Sequence, residues 1–393
     1  MYSRLSAPRL LHLAQQFPAV LILGARQVGK TTLARQTFAN YVYLDLEDPG
    51  TYGLFAEDPR FQLDARSRAT EGLVLDEAQR LPALFDALRG AIDADRQRMG
   101  RFIILGSSQP ALVRQVAESL AGRVGILELS PLTVEETSTG DAPLVDYQQQ
   151  WLAGGFPDAL GAAGRGGNFR DWWEAYLRTY VERDLHVMGV GADPIHMRKL
   201  LTMLAHAQGG LSNHSQMASA LGLSQPTVSR YVDILEQSFL VRRLPPFFRN
   251  VGKRLVKAPK IYLRDTGLLH HLLNIDSLDV LNSHPVRGAS WETFVLEDIL
   301  RREAVKHPYS QAHFWRTSSG AEVDLLLERQ GTMHAIEIKT ARASSPYLAR
   351  SLRAIMEDTT AISATIIDQG QDHEPLAPGV ERRGFGTANT WLP

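Results

Sequence analysis

Short apolar runs alternate with segments of helical period along the first third of the chain. Ala19–Leu23 (AVLIL), Val42–Leu46 (VYLDL), Leu73–Leu75 (LVL), Phe102–Leu105 (FIIL) and Ile126–Leu129 (ILEL) have the length and apolar content of buried strands. Thr31–Thr37 and Leu84–Asp95 read as helices between them. Strands that alternate with helices predict a parallel sheet covered on both faces. From Leu132 the pattern turns helical and aromatic. Asp146–Leu152 and Asn168–Leu185 are its clearest pieces, with a Gly-rich loop, Gly161–Gly167, between them. A second helical block spans Pro194–Phe239. The segment Val241–Arg264 then carries Arg242, Arg243, Arg249, Lys253, Arg254, Lys257, Lys260 and Arg264 and no acid. Beyond Gly267 the pattern predicts a helix, Trp291–Arg302, and strands at Ala312–Arg316, Glu322–Glu328 and Met333–Lys339.

Composition narrows this picture. The 393 residues suffice for two to four domains, and 44% hydrophobic with 22% charged residues is ordinary for globular chains. A formal net charge of -1 means that any site for a polyanion must come from local clustering. The absence of cysteine excludes disulfides, thiolate metal sites and cysteine nucleophiles. No apolar run approaches the roughly 20 residues of a membrane span, and Met1–Phe17 lacks the apolar stretch of a signal peptide. The expectation is a cytoplasmic protein without membrane contact.

The strongest chemical signal is Gly24-Ala25-Arg26-Gln27-Val28-Gly29-Lys30-Thr31, which matches G-x-x-x-x-G-K-[ST] between an apolar strand and a helix. Glycines let successive backbone N–H groups wrap a polyphosphate at a helix N-terminus. Gly24, Ala25, Gln27, Val28, Gly29, Lys30, Thr31 and Thr32 are thus the candidate ATP-binding residues, with Lys30 on the β/γ-phosphates and Thr31 on Mg²⁺. Leu73-Val-Leu-Asp76-Glu77 is a strand that ends in two carboxylates. Asp76 suits the metal and Glu77 suits orientation of water.

These two motifs resemble the Walker A and Walker B motifs of AAA+-type ATPases. The resemblance extends to Gly106-Ser107-Ser108, where such proteins carry a polar sensor of the γ-phosphate, and to Arg123, where many place an arginine that reaches a neighbour's nucleotide. The resemblance implies a catalytic set of Lys30, Glu77, Ser108 and Arg123 and, if Arg123 is a finger, a homo-oligomer or ring. The alternative for Arg123 is a surface salt bridge.

Two further patterns follow. Ser212–Leu244 reads as helix, Gly222-Leu-Ser224 turn, helix, with Ser224 as cap and Pro226 in the first turn, and resembles a winged helix-turn-helix. Gln225, Thr227, Ser229 and Arg230 would face a DNA groove, and Arg242, Arg243, Lys253 and Arg254 would grip phosphates. The other reading is a protein–protein adaptor or a lid extension. Near the C-terminus, Glu322-Val-Asp324 precedes Glu337-Ile-Lys339, and Glu292 lies on the helix before them. This looks like the core of restriction-endonuclease-like nucleases. Asp324, Glu337 and Glu292 would share a divalent cation, and Lys339, on the same strand face as Glu337, would polarise water.

Together these residues, with Gly154–Pro157, Tyr180–Leu185, Lys260–Leu268 and Gly288–Val295, make nearly the whole chain resemble a family of prokaryotic ATPases. The resemblance implies an α/β fold class: a P-loop AAA+ core (1–135), a helical lid (136–193), a winged helix-turn-helix (194–258) and a C-terminal α/β restriction-endonuclease-like domain (259–393). It implies ATP and Mg²⁺ as cofactors and DNA as partner. Three functions stand beside each other: an oligomeric ATPase acting on DNA, including branched Holliday junctions; an ATP-gated, metal-dependent nuclease; and an ATP-dependent switch that binds a protein partner.

Overall fold

The structure is a computed structural model that describes residues 2–106, 116, 118–138, 147–184, 193–247, 257–317, 320–341 and 346–387. They fall into two compact units: residues 3–132 with 237–239, and Tyr2 with 133–236 and 240–393.

In the first unit, five strands form one parallel sheet: β1 (Ala19–Leu23), β2 (Val42–Asp45), β3 (Leu73–Asp76), β4 (Phe102–Leu105) and β5 (Val124–Glu128). Their spatial order is β2-β3-β4-β1-β5. The continuous apolar runs of β1, β3 and β4 are fully buried, as expected for strands covered on both faces. Helices α1 (Ala7–Gln16), α2 (Lys30–Thr37), α3 (Pro49–Glu57), α4 (Pro59–Arg68) and α5 (Ala83–Ala94) complete the unit. Every strand expected here exists, with ends shifted by two residues at most. Helices α3 and α4 were not anticipated. Each starts on an aspartate cap followed by proline, with Asp48 accepting from the Thr51 N–H and Asp58 from the Phe61 N–H.

The second unit holds further helices and two sheets. Asp146–Leu152 appears as helix Tyr147–Ala153, and Asn168–Leu185 as helix Phe169–Tyr176, running on as a π-helix over Leu177–Asp184. The expected loop Gly161–Gly167 is corrected in part: helix Pro157–Gly164 runs into it before the glycines end it. Helices Pro194–His206, His214–Leu221 and Gln225–Gln237 make up the second helical block. Strands β6 (Val241–Leu244) and β7 (Lys260–Leu263) then pair antiparallel, Leu244 opposite Lys260. A six-stranded mixed sheet of order β12-β13-β11-β10-β9-β8 follows: β8 (Gln311–Arg316), β9 (Glu322–Arg329), β10 (Thr332–Ile338), β11 (Ala361–Asp368), β12 (His373–Ala377) and β13 (Val380–Gly384). Helix Arg287–Lys306 is buried over nearly all of Ser290–Glu303, and Trp291, Val295 and Ile299 join Phe314, Leu325 and Ile336 in one core. Among the described residues no helix is long and apolar enough to cross a membrane.

Candidate functional site

The loop after β1 is shaped by backbone conformations that few residues tolerate. Gly29, at φ +99°, lies in the left-handed region and stands at the N-cap of α2. The loop turns Lys30 inward, where it is buried and its Nζ donates to the carbonyls of Gly24 (3.0 Å) and Ala25 (2.9 Å). Burial lowers the Lys30 pKa to about 8, against the opposing pull of Glu77 and Asp76. Ala25 and Val28 are buried, whereas Gln27 and Thr32 are exposed. β1 and β3 run parallel on either side of β4, so both end at the same carboxyl edge of the sheet. There Thr31 Oγ1 donates to Asp76 Oδ2 at 2.7 Å.

Glu77 follows Asp76 at φ +51°, a left-handed conformation that is strained for a glutamate. Its Oε2 accepts from Gln79 Nε2. Burial and then Asp76 raise its pKa, while Lys30 pulls the other way. Ser108 lies outside the described residues. Arg123 donates to both carboxylate oxygens of Asp93, at 2.7 and 2.9 Å, and to the Ala121 carbonyl. It is therefore engaged within its own chain.

In the second unit, Gly222 at φ +67° closes helix His214–Leu221, and Ser224 Oγ caps the next helix by accepting from the Thr227 N–H at 3.2 Å. Helix Gln225–Gln237 buries Val228, Tyr231, Val232 and Leu235. Gln225 and Arg230 remain exposed, and Thr227 and Ser229 half-buried. Arg242 and Arg243, expected at phosphates, each face carboxylates of the same unit. Arg242 is bonded to Glu297, and Arg243 to Glu236 and, at 2.8 Å, to Asp233. The reason is geometric: strand β6 runs beside carboxylates that the sequence separates from it. Burial pushes the Glu297 carboxyl up, but Arg242, Arg264 and Arg301 outweigh it and hold it at about 2. Lys253 and Arg254 lie outside the described residues.

The fold brings Glu292, Asp324 and Glu337 together, but not as an open cation site. Lys260, missed as a site residue, enters among them from β7. Its Nζ lies 3.1 Å from Glu292, 2.6 Å from Glu322 and 3.6 Å from Asp324. Tyr262 donates to Glu292 Oε1 at 2.6 Å, and Asp324 Oδ2 accepts from the Ile338 N–H at 2.8 Å. Lys339 is bonded to Glu337. Burial and the Asp324 charge push Glu292 and Glu337 each to about 7. Among the described residues no three Asp, Glu or His side chains are arranged to hold a metal ion. Glu292, Asp324 and Glu337 thus lie beside two ammonium groups, Lys260 facing Glu292 and Asp324, and Lys339 facing Glu337.

Comparison with known proteins finds an ATPase-type domain in the N-terminal part of the chain. A family model described as an AAA domain matches residues 16–138. Two described as domains of unknown function, DUF8612 and DUF4143, match 144–279 and 287–381. An uncharacterized protein of Mycobacterium tuberculosis is 40% identical over 378 residues, covering 95% of this chain and 82% of that protein. The chain belongs to the family of this mycobacterial protein, and its N-terminal part is an AAA-type P-loop ATPase domain. An uncharacterized protein of Haemophilus influenzae is 25% identical over 359 residues, covering 78% of this chain and 85% of that protein. Among solved structures, the Walker-type ATPase of Pyrococcus abyssi is similar over 70% of this chain and 96% of its own, at 16% identity and a TM-score of 0.47.

The donor set of the AAA domain fits Mg²⁺ and a triphosphate. Thr31 and Asp76 are hard oxygen donors facing one another, and the Lys30 ammonium donates to two neutral backbone carbonyls, partners that phosphate oxygens could take over. One contributor is absent from the motif. Tyr43, on β2, donates to the same Asp76 oxygen at 2.7 Å, while the Arg35 guanidinium lies 3.7 Å from its ring centre. A tyrosine two residues from the end of a strand adjacent to the Asp76 strand was the available signal, but the strand order was needed to read it.

Proposed function

We propose that this chain is a Mg²⁺-dependent ATPase that works with DNA. The observation that carries the ATPase reading is the Thr31–Asp76 bond beside a buried Lys30 at the start of α2. Thr31 and Asp76 would hold Mg²⁺, which when bound offsets phosphate charge. Lys30 moves from the Gly24 and Ala25 carbonyls to phosphate oxygens, and the N-terminus of α2 adds its backbone N–H groups. Glu77 orients the attacking water, and Gln79 fixes the carboxylate until then.

The DNA reading rests on helix Gln225–Gln237 of a winged helix-turn-helix. One face is core; outside it Gln225 and Arg230 are exposed and Thr227 and Ser229 half-buried, side chains suited to base edges and phosphates. The experiment measures ATP turnover of the full chain with single-stranded, duplex and four-way DNA. DNA should raise turnover, and Lys30→Ala should abolish it while the circular dichroism spectrum is kept. Turnover that survives Lys30→Ala refutes the ATPase assignment. Turnover and electrophoretic mobility that ignore every DNA form refute the DNA part alone.

A further inference from the structure

The C-terminal carboxylate cluster has the residue types of a cation site, yet a cation is already built into it. Three separate elements converge there: β7 brings Lys260, helix Arg287–Lys306 brings Glu292, and β9 brings Glu322 and Asp324 on one face of the strand. The Lys260 side chain is 4% exposed, so its ammonium has left water and depends on these carboxylates for compensation. It lies within hydrogen-bond distance of two of them and 3.6 Å from the third. We propose that Lys260 is an internal replacement for a divalent cation: its ammonium occupies the place between Glu292 and Asp324, and the cluster takes up a metal ion only when Lys260 is removed.

The arrangement has a specific consequence. A divalent ion entering beside a buried ammonium meets like charge at close range and would have to displace Lys260 from three carboxylates. With Lys260 gone, the same carboxylates lose their compensation. Glu337 then supplies a further donor, because its buried Oε2 has no hydrogen-bond partner among the described residues. Glu292, Asp324 and Glu337 become an oxygen-rich set of the kind that binds Mn²⁺ or Mg²⁺. In the intact chain the domain therefore acts through its surface and its packing, with no metal-activated water at this cluster.

The test counts bound Mn²⁺ by electron paramagnetic resonance on nucleotide-free full-length protein. All samples carry Asp76→Asn, so that the P-loop site is silent and failure of the ATPase reading does not enter the result. With Lys260 intact, no Mn²⁺ assignable to Asp324 should bind. Lys260→Met should gain one Mn²⁺ per chain, and adding Asp324→Asn should remove it. Since a buried lysine is replaced, Lys260→Gln serves as a second variant that keeps hydrogen-bonding capacity. Uptake of one Mn²⁺ by Lys260-intact protein that disappears with Asp324→Asn overturns the proposal without reference to the folding of any Lys260 variant. It is equally overturned if folded Lys260→Met or Lys260→Gln protein gains no site.

Discussion

At the scale of single residues, the decisive fact is that Lys30 is charged in a place that disfavours charge. Its pKa falls to about 8 in the nucleotide-free site, chiefly through burial. A bound triphosphate adds negative charge beside it and raises that value. The bound state therefore holds more protons than the free state above pH 8, and affinity falls as pH rises through that value. Calorimetry in buffers of different ionisation enthalpy should find almost no proton uptake on ATP binding at pH 7, and uptake approaching one proton per site near pH 9. A proton count that stays at zero across this range contradicts the assigned contact. Lys30, Thr31 and Asp76 were legible because a phosphate loop imposes residue types at fixed spacing, and a carboxylate at the end of an apolar strand is itself a pattern. Tyr43 and Lys260 were not. Each reaches its partners across strand or helix packing, Tyr43 over 33 residues to Asp76 and Lys260 over 32 to Glu292, and no local rule relates them.

At the scale of elements, periodicity located the strands of the first sheet because buried parallel strands are uniform apolar runs. It failed for α3, α4 and β11–β13, where aspartate–proline caps and mixed polar strands carry weaker periods. The junction Gly154–Pro157, noticed only as a pattern, has a physical role in the fold. Gly154 is left-handed, at φ +87°, and a Cβ there would lie 1.9 Å from Asp265 Oδ1. Asp265 is buried, accepts from the N–H groups of Gly155 and Gly267 at 2.9 Å each, and lies 3.7 Å from Arg301. It caps helix Thr266–Leu272 and ties that helix to the start of Pro157–Gly164. Gly154→Ala combines a disfavoured φ with overpacking against a buried carboxylate, together about 2–5 kcal/mol of lost stability. Gly164→Ala meets nothing within 4 Å and ends a helix, so it should be neutral or slightly stabilising. Urea unfolding of the two variants checks the contrast. Equal midpoints would mean that the junction yields without resistance.

For the whole molecule, a net charge of -1 leaves no general field that draws in nucleic acid, so any grip on DNA is local. The segment Val241–Arg264 reads as eight cations without an acid, but the fold supplies the acids from elsewhere. Arg242 and Arg264 face Glu297, Arg243 faces Asp233 and Glu236, and Lys260 faces Glu292 and Glu322. These four are structural counter-ions, Lys260 and Arg264 buried and Arg242 and Arg243 half-buried, so the charge of the segment in the linear sequence is not the charge these four present. Removing one of them strands a carboxylate and lowers stability. Removing an exposed cation that meets phosphate instead changes how binding responds to salt. Each neutralised phosphate contributes about -0.9 to the slope of log K against log salt concentration. Arg230→Ala should make that slope shallower by about one for duplex DNA at every sequence tried. Arg243→Gln should leave the slope unchanged while lowering the melting temperature. Fluorescence anisotropy between about 50 and 200 mM salt separates the two, since this range spans the steep part of counterion release. If the Arg243 variant flattens the slope and the Arg230 variant does not, DNA meets the β6 side of the unit, and the ion pairs with Asp233 and Glu236 open on binding.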